Sequence, residues 1–177
     1  LILSKTFSTK MDISSFKDSN VLLLNGGLEG FDFKEVQMQV SSADEMRALK
    51  EQEMQILSEV ASMVAGTLEQ GVVFVRDGVH EAVANYLGNK GIAVVSRLQQ
   101  GDMEALSRIT GLPIYHRVVD IEEGDEFTFN GEVSTCRIND LDYVAVSSPD
   151  ASVVTLLVRG ATRQTLDEYE RAFEDAL

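Results

Sequence analysis

The stretch from Gly71 to Leu98, GVVFVRDGVHEAVANYLGNKGIAVVSRL, decides the fold class. Gly71 to Val75 is a short apolar run dominated by valine, which reads as a strand. From Gly78 to Asn89 the period becomes helical, with Val79, Val83, Tyr86 and Leu87 turned inward. Ile92 to Leu98 then reads as another strand. Alternation of strand and helix at this spacing is the signature of an α/β sheet protein.

The same alternation extends in both directions. Upstream, Val21 to Leu24 is fully apolar, while Val36, Met38 and Val40 alternate with polar neighbours, so both segments read as strands around a turn at Gly26-Gly27. Ser42 and Glu45 form a capping box that opens a helix of about two dozen residues ending at Ala65, with Gly66 as the expected stop. Such a helix is roughly 35 Å long. Met46, Leu49, Ile56, Val60 and Met63 make one stripe along it, and Met54, Leu57, Ala61 and Val64 lie beside its second half. Its C-terminal half is expected to pack in the core, Met54, Leu57 and Met63 included, while its N-terminal half carries too few apolar positions to pack continuously.

Downstream, Asp102 to Ile109 reads as a short helix with Met103, Leu106 and Ile109 at helical spacing, closed by Gly111, and Pro113 to Val119 as a strand. Beyond an acidic loop from Asp120 to Glu126, Glu132 to Ile138 and Leu141 to Val146 flank Asn139-Asp140, a hairpin turn. Val153 to Val158 is predicted to be a buried strand. A final helix from Thr162 carries Leu166, Tyr169 and Phe173 on one side.

Composition narrows the function classes. The 177 residues are 44% hydrophobic and 25% charged, the proportions of one compact domain. No apolar run approaches the ~20 residues of a membrane-spanning helix, and the first residues lack a signal peptide's apolar stretch, so a soluble, intracellular chain without a membrane partner is expected. The single cysteine, Cys136, has neither a disulfide partner nor metal-spaced companions. A net charge of −14, from 29 acidic and 15 basic residues, repels phosphate backbones and argues against nucleic acid. Only six of the basic residues are lysines. That balance suits a high-salt cytoplasm, where screening tames self-repulsion, and equally an ordinary acidic protein.

Candidate catalytic and ligand sites are sparse. Gly26-Gly27 and Gly88 to Gly91 lack the glycine pattern and the Lys-Ser/Thr ending that cradle phosphates, so they read as turns. His80-Glu81 looks like half of a zinc-binding helix, but Ala84 occupies the position of the second ligand. His116 lies in a predicted strand with no nucleophile nearby in sequence. The acidic loop lacks the alternating ligands of a calcium loop. No cofactor or metal is expected in this chain.

Three segments carry a family resemblance. Leu156 to Gly160, with Asp167-Glu168, Glu170-Arg171-Ala172 and Glu174 to Leu177, resembles the strand and helix by which the apical domain of group II chaperonins, the thermosome family, returns to its intermediate domain. Ala161 stands where that family usually has a second glycine. Val95-Ser96-Arg97, with Asp102 to Leu106 and Thr110-Gly111, resembles the helix forming the inner, substrate-facing edge. The capped helix from Ser42, with Glu51-Gln52-Glu53, falls where the family inserts its helical protrusion.

The resemblance implies a single apical domain over residues 1–177, a central β-sheet flanked by helices in three layers, with a protrusion at about residues 42–65 serving as a built-in lid. A start at Leu1 without methionine and a stop inside an apparent helix are expected of a domain excised from a longer subunit. It further implies a molecular chaperone that binds non-native polypeptide through Gln99, Gln100, Met103, Ser107 and Arg108 and closes a chamber with Met46 and Leu49. Neighbouring subunits of a double ring are the other expected partners. ATP and Mg, and the ATPase activity, belong to the parent subunit, so this cytoplasmic fragment, monomeric alone, is expected to be no enzyme. Leu106 and Ile109 are expected to anchor the edge helix, leaving Met103, Ser107 and Gln100 accessible. The rival reading is a stand-alone α/β enzyme using His80 or His116.

Overall fold

The computed structural model describes residues 1–9, 15–29, 43–122, 124–151 and 153–176. Three parallel strands form its centre: β2 (Ser15–Leu24), β3 (Gly71–Val75) and β4 (Ile92–Val95). Their apolar residues are buried, because helices cover both faces of a parallel sheet and leave no strand face for water. Val21, Leu23, Val72, Phe74, Ala93 and Val95 enter one core, while Leu22, Leu24, Val73, Val75, Ile92 and Val94 enter the other.

Two helices close the second core. They are α1 (Ala43–Leu68), through Leu57, Ala61, Val64 and Leu68, and α2 (Glu81–Asn89), through Val83 and Leu87. A third helix, α3 (Gln100–Thr110), covers the first core. The chain then returns to β5 (Ile114–Tyr115), which lies parallel to β2 on the side away from β3. Helices on both faces of one sheet make the predicted three-layer α/β architecture.

The other half of the sheet is antiparallel. β6 (Thr128–Ile138) pairs with the first half of β2 across a register shift at Asp18, β7 (Leu141–Ser147) pairs with β6, and β1 (Ile2–Leu3) closes that edge. The β6–β7 hairpin turns at Asn139-Asp140, as expected, with both residues at left-handed φ (46° and 65°). At the opposite edge the Ser8 amide donates to Val94 O (2.7 Å) and the Val94 amide to Thr9 Oγ1 (3.3 Å), covering β4.

Several expectations are corrected. α1 does not stop at Gly66 but runs on to Leu68, because Leu68 is needed in the core, and it ends at Glu69, whose φ is +43°. Met54 and Met63 lie outside the core, each 51% exposed, since the buried stripe runs Leu57, Ala61, Val64, Leu68. The strand expected at Pro113–Val119 shrinks to β5, after which Val118–Asp120 forms a 3-10 turn held by the Arg117 amide donating to Asp120 Oδ2 (3.0 Å). Val153 to Val158 is not a buried strand. It makes no ladder among the described residues, and Val154 is 90% exposed. Apolarity marks a segment that needs cover, not one that already has a slot in this sheet. The expected strand at residues 36–40 and the cap at Ser42 lie outside the described residues.

α4 (Arg163–Glu174) forms as expected from its Thr162 cap, whose hydroxyl accepts from the Thr165 amide (3.3 Å), yet none of its residues is buried. Among the described residues no helix is long and apolar enough to cross a membrane.

Candidate functional site

α3 and the loops at the carboxyl ends of the parallel strands form a polar edge held by capping and loop hydrogen bonds. After β4 the chain makes a tight exit, with the Arg97 amide donating to Asp77 O (2.9 Å) and the Leu98 amide to Val75 O (3.2 Å). Leu98 is buried, and the Gln99 amide donates to Asp102 Oδ2 (3.2 Å), which opens the helix with a capping contact. At the far end Gly111 adopts φ 72° and its amide donates to Ser107 O (2.9 Å), the expected glycine cap.

The helix divides sharply into two faces. Leu106 and Ile109 are buried against the sheet, as expected. Met103 is buried with them, fully, so its expected accessibility is corrected: α3 lies over β2, β6 and β7, and a helix on a sheet buries a stripe wide enough to take all three positions. Ser107 is half-buried and its hydroxyl donates to Leu112 O (2.7 Å), so it is engaged in ending the helix. Outside stand Gln99, Gln100, Glu104 and Arg108, all exposed. Gln100 Nε2 donates to Glu104 Oε1 (3.1 Å) and Arg108 Nη2 lies 3.9 Å from Glu104 Oε2, giving a polar ladder at helical spacing. Glu104, which links the two, was not singled out from sequence, although its i, i+4 relation to both neighbours was there to be read.

The neighbouring loops are laced to this edge. The amide of Asn25, following β2, donates to Tyr115 O (2.7 Å), and Asn25 Nδ2 lies 3.4 Å from His116 Nδ1. A side chain at Gly26 would meet His116 O at 2.5 Å, so only glycine lets the two loops approach this closely. Arg76 grips Asp77 with two hydrogen bonds (3.0 and 3.1 Å).

His80 caps α2, its Nδ1 accepting from the Ala82 amide (3.2 Å). Among the described residues neither histidine is hydrogen-bonded to a serine, cysteine or carboxylate side chain. The acidic loop turns on itself, with Asp125 Oδ2 accepting from the Glu122 amide (3.0 Å). Burial, then the hydrogen bond to Asp125 and the charge of Glu122, pushes the Tyr115 hydroxyl up to about 12. The Arg117 guanidinium holds the Asp120 carboxyl below its usual range. No group of three potential metal ligands occurs among the described residues.

At the start of α1, Arg47, Ala48, Lys50, Glu51 and Gln52 are exposed and Leu49 is half-buried, while the side chain of Met46 lies outside the described residues. Cys136 is half-buried in β6 opposite Tyr143.

The profile of the TCP-1/cpn60 chaperonin family matches residues 1–177. The chain is 33% identical over 165 residues to thermosome subunit 1 of Haloferax volcanii, covering 91% of this chain and 29% of that one. It is 31% identical over 166 residues to the thermosome subunit of Methanopyrus kandleri, covering 91% and 30%. Among solved structures, an open-state group II chaperonin monomer from Methanococcoides burtonii superposes with a TM-score of 0.74 at 24% identity, over 100% of this chain and 38% of that one. The chain thus spans about three tenths of the length of these curated relatives.

Proposed function

Because this chain belongs to the TCP-1/cpn60 chaperonin family, we propose that it is the apical, polypeptide-binding domain of a group II chaperonin subunit of the cytoplasm. It captures non-native chains along the outer face of α3 and contributes the N-terminal half of α1 to a lid. ATP hydrolysis with Mg in parts of the protein outside these residues drives closure of a ring of such subunits.

The observation that carries this reading is the division of α3. Met103, Leu106 and Ile109 seat the helix rigidly, so that Gln99, Gln100 and Arg108 are displayed on a fixed support, and the solvent-facing side owes nothing to the core. Exposed amide and guanidinium groups hydrogen-bond to peptide groups of many sequences, which an unfolded client presents in quantity. Each contact is modest. Repetition around a ring multiplies weak contacts into useful avidity.

The test is the double variant Gln100→Ala, Arg108→Ala. Its melting temperature is expected to match that of the parent, while capture of a denatured client, read as suppression of its aggregation, weakens roughly three- to tenfold for the loss of two such hydrogen bonds. A folded variant with undiminished capture removes α3 from the binding edge and moves the reading to α1.

A further inference from the structure

We propose that Arg97 selects acidic segments of the client, a preference that rests on the reading of α3 as the capture edge. Arg97 is exposed, and it sits in the connection from β4 to α3, three residues before the displayed Gln100. It makes no ion pair among the described residues, unlike the other guanidinium groups on the α/β body for which a partner is known: Arg76 with Asp77, Arg108 with Glu104, Arg117 with Asp120 and Arg137 with Asp140. Asp77, whose carbonyl accepts the Arg97 amide, has both carboxylate oxygens engaged by Arg76.

The backbone points the same way. Arg97 has φ +59°, the left-handed region that favours glycine over any residue with a Cβ. Like Asp18 at the β2 register shift, Glu69 at the end of α1 and Asn139-Asp140 in the hairpin turn, Arg97 stands at a turn, the tight exit from β4 in which its amide donates to Asp77 O. At residue 97 glycine would serve the turn better, yet a long cation stands there without an ion pair among the described residues. In a chain of net charge −14 an unpaired, outward guanidinium is complementary to what the rest of the surface repels. An acidic stretch of a client, held off elsewhere, finds a partner at this one corner of the capture edge, where Arg97 takes a carboxylate and the ladder of Gln100 and Arg108 takes the adjoining peptide groups.

The experiment uses the 177-residue chain and two labelled extended peptides with the same apolar residues, one carrying Asp and Glu, the other Asn and Gln at the same positions. By fluorescence anisotropy the acidic peptide is expected to bind roughly fivefold tighter, the size of one exposed ion pair, with the difference fading at about 0.5 M salt. Arg97→Gly keeps the fold and relieves the backbone, so it is expected to melt no lower than the parent and to bind both peptides equally. Arg97→Lys retains most of the preference, and Arg163→Ala, on α4, retains all of it. Equal binding of the two peptides by the parent, or a preference that survives Arg97→Gly, overturns the proposal while capture by α3 stands. If the parent captures no denatured client and neither peptide, the functional reading falls, and this inference with it.

Discussion

α3 and α4 are amphipathic helices of 11 and 12 residues, each opened by a polar cap and each with its large apolar side chains on one side. In α3 that side is buried against the sheet. In α4 it is open, with Tyr169 48% and Phe173 42% exposed, and the preceding segment is open too, with Leu156 57% and Leu157 43% exposed. The two helices differ in partner and not in pattern. A stripe of apolar residues states which face must be covered, and says nothing of whether the cover lies in the same stretch of chain. The described residues supply no cover for the α4 stripe, and the chain spans about three tenths of the length of the curated relatives it matches.

Hydrogen exchange gives this comparison its widest range. Amides of β3, flanked by β2 and β4 and buried throughout, are expected to exchange only by global unfolding, at a cost of about 5 kcal/mol or more. Amides of α4 and of residues 154–158 should exchange within about 1 kcal/mol of the unfolded rate, since none of these residues is buried. Protection of α4 equal to that of β3 would show that its open face is covered in solution, and the contrast with α3 would collapse.

Truncation sharpens the same contrast residue by residue. Leu106→Ala leaves a cavity under α3 and is expected to cost ~2 to 5 kcal/mol in denaturant unfolding. Met103→Ala belongs in the same range, because the structure buries it as deeply as Leu106. Phe173→Ala, by contrast, removes a ring already facing water and should change stability by no more than about 0.5 kcal/mol. A loss of several kcal/mol at Phe173 would mean that α4 packs somewhere after all.

These contrasts also mark what could be read without a structure. The central strands, α2, α3 and the hairpin at Asn139-Asp140 were legible because each is decided locally, by an apolar run, a period, a glycine cap or a turn pair. Leu106 and Ile109 were legible as anchors for the same reason. Met103 was misread because helical spacing ranks positions around an axis but does not fix how wide a stripe a flat sheet will bury. Val153 to Val158 was misread because burial of a strand depends on a neighbour that sequence does not name. Arg97 was read only as part of the segment Val95-Ser96-Arg97 and not as a binding residue, because its interest lies in a backbone angle and in an ion pair not made, and neither leaves a trace in residue order.

The smallest effect concerns α1, which divides within one helix as α3 and α4 divide between two. Its C-terminal half is held by Leu57, Ala61, Val64 and Leu68, and Gly66 sits among them on the outer side, exposed, with nothing within 4 Å of where a Cβ would stand. Glycine inside a helix costs roughly 0.5–1 kcal/mol relative to alanine, because the unfolded chain loses more freedom there. Gly66→Ala is therefore expected to stabilise the protein by up to about that amount, reduced in part because the site lies in the last turn. The gain should appear as a higher denaturant midpoint at unchanged slope, since neither the fold nor the exposed surface changes. Gly71, three residues past the end of α1, supplies the control. Its φ is +150° and an added methyl would collide with the Asn20 carbonyl, so Gly71→Ala should destabilise where Gly66→Ala stabilises. Were Gly66→Ala to destabilise, α1 would not continue past Gly66 in solution, and the stop expected from the sequence would stand against the structure.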